Sequence, residues 1–228
     1  MNALEARFSS IKSSIVASTL AAKRLPDSVT LIAVSKQQPA LAIEALTALG
    51  QHDFAENYVQ EALAKQAKLA HTPMAGKIVW HFIGPIQSNK TRAIAANFSW
   101  VHSVDRPKIA ERLSEQRPDN LPPLKIFIEV NIDNESTKAG VSPAELPAMV
   151  ALCQRLPRIE LVGLMVIPAR GSPDAFTRTA QLNAHLPSAL PLLSMGMSGD
   201  FPAAIAAGST HVRIGTALFG VRQMTAES

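Results

Sequence analysis

Thr30-Leu31-Ile32-Ala33-Val34-Ser35-Lys36, followed by Gln37-Gln38-Pro39, is the stretch on which the fold of this chain turns. Five of its first six residues are apolar or β-branched, which predicts a strand buried on both faces, as in a parallel sheet. A lysine at the end of such a strand is out of place, because burying an ammonium is costly unless it is paired or gives up its proton. Two readings stand. Lys36 either snorkels to water at a strand end, or is an amine able to form an imine with an aldehyde.

Upstream, residues 3–23 carry Leu4, Phe8, Ile11, Ile15 and Leu20 at helical spacing, and Pro26-Asp27 ends that helix. Downstream, strands are predicted at 52–57, 78–84, 100–104, 125–132, 159–167, 190–197 and 211–220. Helices fall between them at 41–49, 59–69, 91–97, 107–116, from Ser142 onward (Ser142 as cap, Pro143 at the first position), 174–185 and 201–207. The Pro-rich link Arg117–Pro123 is short and the alternation resumes directly after it, so it reads as a loop within one domain spanning residues 1–228. Eight such strands at a spacing of about 25 residues fit a single (β/α)8 TIM barrel better than an open doubly wound sheet. No glycine-rich dinucleotide fingerprint follows the first strand. The N-terminal helix is extra to the repeat, and is expected to complete the outer ring beside strand eight.

Composition narrows the function. With 47% hydrophobic and 18% charged residues among 228, the chain is an ordinary globule. No apolar run approaches the ~18 residues of a membrane span, and Glu5 and Arg7 interrupt the N-terminus where a signal peptide would be apolar. The single Cys153 lies in an apolar helical pattern and suits a reducing, cytoplasmic setting. The net charge of +4 comes from scattered basic residues, with one Tyr and two Trp to stack on bases, so nucleic acid is not an expected partner. Histidines 52, 71, 81, 102, 185 and 211 show no paired metal-ligand spacing.

In a barrel the chemistry sits at the C-terminal ends of the strands. Lys36, Asn57, Ser198-Gly199 and Arg213-Ile214-Gly215-Thr216 all fall there. Ser198, Gly199 and Asp200 precede a short helix whose amides suit a phosphate. Gly215 permits close backbone approach and Thr216 offers a hydroxyl, although both glycines could equally serve turn geometry. A lysine after strand one facing such a cradle suggests a phosphorylated aldehyde held covalently. Between apolar Val212 and Ile214, Arg213 is expected to point into the barrel mouth. It either makes a structural ion pair or stands beside a pyridine nitrogen and keeps it unprotonated.

The segments Ile32–Lys36, Phe54-Ala55-Glu56-Asn57-Tyr58-Val59-Gln60-Glu61, His81–Lys90, Gly163-Leu164-Met165, Ser194–Ser198 and Val212–Gly220 resemble the pyridoxal-phosphate homeostasis proteins over essentially the whole chain. That family looks like the barrel domain of alanine racemase standing alone. The resemblance implies pyridoxal 5′-phosphate as cofactor and Lys36 as its Schiff-base lysine. It also implies Arg213 at the pyridine nitrogen, Ser198, Gly199, Gly215 and Thr216 at the phosphate, and Asn57 near the ring. Two positions depart from the family pattern: Ala55 stands where glycine is expected, and Gly199 where an acidic residue is usual.

Function is then expected to be binding, protection and delivery of the cofactor, with transient contacts to apo-enzymes that use it and a monomeric state. Racemisation needs a second base opposite the lysine. The one tyrosine, Tyr58, directly follows Asn57, so little or no racemase turnover is expected. A hypothesis for Lys138, on the longest loop of the same face, is that it assists cofactor exchange. The leading reading on sequence grounds is a solvated loop lysine. The alternatives are a pyridoxal-phosphate-dependent racemase or lyase, and a cofactor-free Schiff-base aldolase. A metal-dependent hydrolase ranks below both.

Overall fold

Parallel strands buried on both faces must be covered by helices, and the chain meets this by closing its sheet on itself. In a computed structural model, which describes residues 2–220, the elements run α1 (Ala3–Ala21), β1 (Thr30–Val34), α2 (Ala40–Ala48), β2 (Asp53–Glu56), α3 (Val59–Leu69), β3 (Val79–Phe82), α4 (Thr91–Asn97), β4 (Trp100–Val104), α5 (Pro107–Gln116), β5 (Leu124–Val130), α6 (Leu146–Cys153), β6 (Ile159–Val166), α7 (Ala175–Ala184), β7 (Leu192–Ser194), α8 (Phe201–Ala206), β8 (His211–Ile214) and α9 (Thr216–Phe219). The eight strands form one closed barrel in chain order. β1 closes it, pairing in parallel with β2 at Ala33↔Phe54 and with β8 at Ile32↔Arg213.

Alternate residues of each strand face the helices. Leu31, Ala33, Phe54, Val212 and Ile214 pack with Phe8, Ile11, Ile15, Ile43 and Leu46 in one cluster. Phe82, Val101, Ile126, Ile128 and Leu164 join Ile94, Ile109, Leu113 and Met149 in another. Each Val, Leu, Ile, Phe or Met side chain so buried contributes roughly 1.5–3 kcal/mol.

The inward positions are filled differently. His211 of β8 lies 5.5 Å, ring to ring, from both Trp100 of β4 and Phe127 of β5. Strands so far apart in the barrel touch only through its interior. His102 stacks on Phe127 at 4.3 Å and His81 on Trp100 at 5.3 Å. Toward the mouth, Ile32, Val34 and Ala55 form a small apolar layer.

Helix α1 takes the expected place. Asn2 caps it in a reciprocal box with Glu5, and Arg7 donates to Leu218 O at 2.8 Å and Phe219 O at 3.1 Å, tying it to α9. Its buried stripe is Phe8, Ile11, Ile15 and Thr19, while Leu20 is 56% exposed. Thr19 holds the inward place because a step of four from the buried Ile15 reaches 19, whereas Leu20 lies five residues on. Its hydroxyl is satisfied by Ile15 O at 2.7 Å.

Two other expectations are corrected. The strand expected through residue 220 stops at Ile214, and Thr216–Phe219 is a helical turn following Gly215. Ser142 does bond reciprocally with Glu145, but it closes a turn, and α6 begins only at Leu146. Among the described residues, no helix is long and apolar enough to cross a membrane.

Candidate functional site

The turn that carries Lys36 is clamped from beneath by a buried ionic cluster. β1 ends at Val34, and the Ser35 hydroxyl donates a hydrogen bond to Glu56 Oε1 at 2.6 Å. Lys65, reaching across from α3, donates to Glu56 Oε1, Glu61 Oε1 and Ser35 O, each at 2.7 Å. Glu61 Oε1 also accepts from the amide of Gln37, a residue in the left-handed region at φ 59°. Burial raises the Glu56 carboxyl above its ordinary range, against the opposing pull of Lys65 and Ser35. The residues on either side of Lys36 are thereby fixed, and its side chain is left half-buried.

A cleft lined by Val34, Lys36, Gln38, Gly215 and Thr216 brings the lysine against the end of β8. From the loop after β7, Ser198 Oγ accepts the amide of Ala217 at 3.4 Å and joins that loop to α9. Among the described residues, the amides of Ser198, Gly199 and Thr216 have no protein acceptor, which suits them to an anion. The first amides of α8 contribute less than expected, since those of Asp200 and Phe201 donate to Met197 O. A side chain at Gly199 would meet open space, so the glycine there is not required by the protein's own packing. Ala55 sits in ordinary extended strand between Ile32 and Val34, and alanine fits where glycine was expected.

Arg213 lies at the floor of the mouth, 4% exposed. Nη1 donates to Ser194 O at 2.7 Å and Ser194 Oγ at 2.8 Å, and Nη2 to Val166 O at 3.0 Å. Burial lowers its pKa to about 10 while Glu129 and Asp200 favour the charge, so it stays a cation at neutral pH. Asn57 follows β2, on the other side of β1 from β8. Its Oδ1 is buried without a hydrogen-bond partner, and its carbonyl lies so close to Gly84 that a Cβ there would come within 2.1 Å of it. A buried acceptor left open in a polar mouth points to a ligand group.

Glu129 escaped the sequence reading. It follows Phe127 at an inward position of β5, and burial, with Asp105 adding to it and Arg213 opposing, raises its pKa to about 7. The signal that marked Lys36, a charge inside a buried strand, was present here too. Tyr58, 55% exposed, lies at the start of α3, and Lys138 pairs with Glu135 at 3.1 Å. A cavity of 750 Å³ lies beside the mouth against Arg7, Gln37, Glu61 and Lys68. Its lining includes neither Lys36 nor Arg213, and convergent polar groups locate the site better than volume does.

Residues 17–223 match the family described as alanine racemase, N-terminal domain. A pyridoxal phosphate homeostasis protein of Pseudomonas aeruginosa is 54% identical over 207 residues, covering 89% of this chain and 88% of the relative. The structure of PipY from Synechococcus elongatus with pyridoxal phosphate bound is 40% identical, with a TM-score of 0.75, and covers 90% of this chain and 100% of that one. An alanine racemase from Corynebacterium glutamicum, 19% identical with a TM-score of 0.64 over 95% of this chain and 63% of its own, shares the fold. By these likenesses the chain belongs to the pyridoxal phosphate homeostasis proteins, within the alanine racemase N-terminal domain family.

Proposed function

We propose that this chain binds pyridoxal 5′-phosphate at the barrel mouth and serves its homeostasis, holding, protecting and releasing it. The observation that carries this is the convergence of Lys36, Gly215 and Thr216 on one cleft, beside a buried Arg213. The orphaned Asn57 Oδ1 and the open amides of Ser198, Gly199 and Thr216 fit a ligand with polar ring substituents and an anionic end. When bound, the cofactor supplies an aldehyde that reacts with primary amines. Lys36 would hold that aldehyde and Arg213 the pyridine nitrogen. Ser198, Gly199, Gly215 and Thr216 would hold the phosphate, and Asn57 would meet the ring. Arg213, charged at neutral pH, presents only donors, so the nitrogen it faces keeps its lone pair and the ring stays a weak electron sink.

Delivery rather than turnover suits this site, because the chain's one tyrosine is exposed at the start of α3. The same reading places the chain in the cytoplasm as a monomer that meets apo-enzymes transiently. The test is the absorbance of the purified protein with pyridoxal 5′-phosphate added. A band near ~420 nm that borohydride abolishes is expected for a lysine-bound cofactor. Its loss in Lys36→Ala supports the assignment of the lysine. A featureless spectrum would sink the cofactor reading and favour a Schiff-base aldolase.

A further inference from the structure

Three of the six histidines meet inside the barrel, and two of them belong to a continuous hydrogen-bonded chain. It runs Arg213 Nη1–Ser194 Oγ (2.8 Å), Ser194 Oγ–His102 Nδ1 (2.8 Å), His102 Nε2–His81 Nδ1 (2.9 Å) and His81 Nε2–Asp53 Oδ1 (3.0 Å). The chain crosses the interior from β8 at the mouth, through β7, β4 and β3, to the first residue of β2 at the opposite end. There Asp53 borders a surface cleft of 250 Å³ with Lys12, Asp27 and His52. Ser194, His81 and His102 are fully buried, whereas the side chain of Asp53 is 29% exposed.

The two ends give the chain a direction. A guanidinium only donates and a carboxylate only accepts. The Asp53 carboxylate requires the proton of His81 on Nε2, which leaves Nδ1 of each neutral ring as an acceptor. Ser194 therefore donates its hydroxyl to His102 Nδ1 while its Oγ accepts from Arg213. His102 is then the neutral Nε2–H tautomer and donates to His81 Nδ1, and His81, likewise Nε2–H, donates to Asp53. The reverse order would set the unprotonated Nε2 of His81 against the carboxylate. Burial lowers the pKa of both rings, in keeping with neutral imidazoles. In this arrangement the Ser194 hydroxyl cannot rotate to present its proton to Arg213.

We infer that Asp53, His81, His102 and Ser194 are positioning residues for Arg213, a directed chain that fixes the guanidinium beneath the cofactor site from the far end of the barrel. The effect on cofactor affinity rests on the function proposed above; the direction of the chain does not.

The experiment has two arms on the full chain. Two-bond nitrogen–proton correlation spectra of the ¹⁵N-histidine-labelled, cofactor-free protein read the tautomers directly. His81 and His102 are expected neutral and protonated at Nε2. Either ring found charged, or protonated at Nδ1, overturns the chain. The second arm measures pyridoxal 5′-phosphate affinity in Asp53→Asn, which keeps an acceptor for His81, and Asp53→Ala, which does not. Asp53→Asn is expected within about twofold of wild type and Asp53→Ala about three- to tenfold weaker, the size of coupling carried through such networks. Equal affinity in all three proteins, or an equal loss in both variants, overturns the positioning role. Wild-type protein that fails to bind pyridoxal 5′-phosphate overturns the functional reading instead, and the tautomer spectra still judge the chain.

Discussion

The two sides of the same barrel strands are built from different chemistry. Outward, β1, β2 and β8 present Leu31, Ala33, Phe54, Val212 and Ile214 to the helices, an aliphatic and aromatic packing surface. Inward, the barrel holds His81, Trp100, His102, Phe127, His211 and Arg213, where aliphatic side chains commonly fill the space. The shell therefore supplies the stability that transfer from water gives. The interior must satisfy every polar atom it encloses, and its order comes from directional bonds.

Substitutions on either side should separate these roles. The largest effect is expected in the shell. Phe82, 1% exposed with its ring edge-on to Phe98 at 5.3 Å, leaves a cavity on Phe82→Ala, a loss of about 3–5 kcal/mol in urea unfolding. Cofactor bound per folded molecule should not change. Next comes the clamp beneath Lys36. Lys65→Ala strands the fully buried Glu56 and is expected to lose about 3 kcal/mol, while Lys65→Met, which fills the space, loses less once Glu56 is protonated in acid. Equal losses at pH 5 and pH 8 would speak against the ion pair as the source.

The interior should show itself through pH. His211 is held at about 4, chiefly by burial, so below pH 6.5 the unfolded chain binds a proton that the folded one refuses. Stability is therefore expected to fall as pH drops from 6.5 toward 4, with His81 and His102 adding in the same direction. His211→Phe should flatten that fall by on the order of 2 kcal/mol. Glu129 acts with the opposite sign, and because its side chain is less buried than His211 the effect expected is smaller. With its pKa raised to about 7, the folded chain keeps a proton that the unfolded one loses, so this site removes stability as pH rises from about 4.5 to 7. Glu129→Gln is expected to recover on the order of 1 kcal/mol at pH 8, read from melting temperatures across the pH range.

The same contrast explains what was legible in the sequence. Strands and helices showed because the shell imposes an apolar pattern on both, and Lys36 stood out as a charge ending an apolar run. Arg213 was flagged by its apolar neighbours Val212 and Ile214, which do face the shell. The polar interior left no such mark. His81, His102 and His211 are spread over 131 residues of sequence, and only barrel closure brings them together. Lys65 lies in an Ala- and Lys-rich helix where nothing sets it apart from Lys68, and its partner Glu56 is on a separate strand. At the end of β8, Thr216-Ala217-Leu218-Phe219 is apolar enough for a strand and too short for periodicity to decide, so the turn of α9 was missed.

The measurement that bears most directly on the function is the position of the covalent bond. Borohydride reduction of the cofactor-loaded protein, followed by proteolysis and mass mapping, should place a single pyridoxyl adduct on the peptide containing Lys36. An adduct on another lysine instead, or none at all, would contradict a site built around the end of β1.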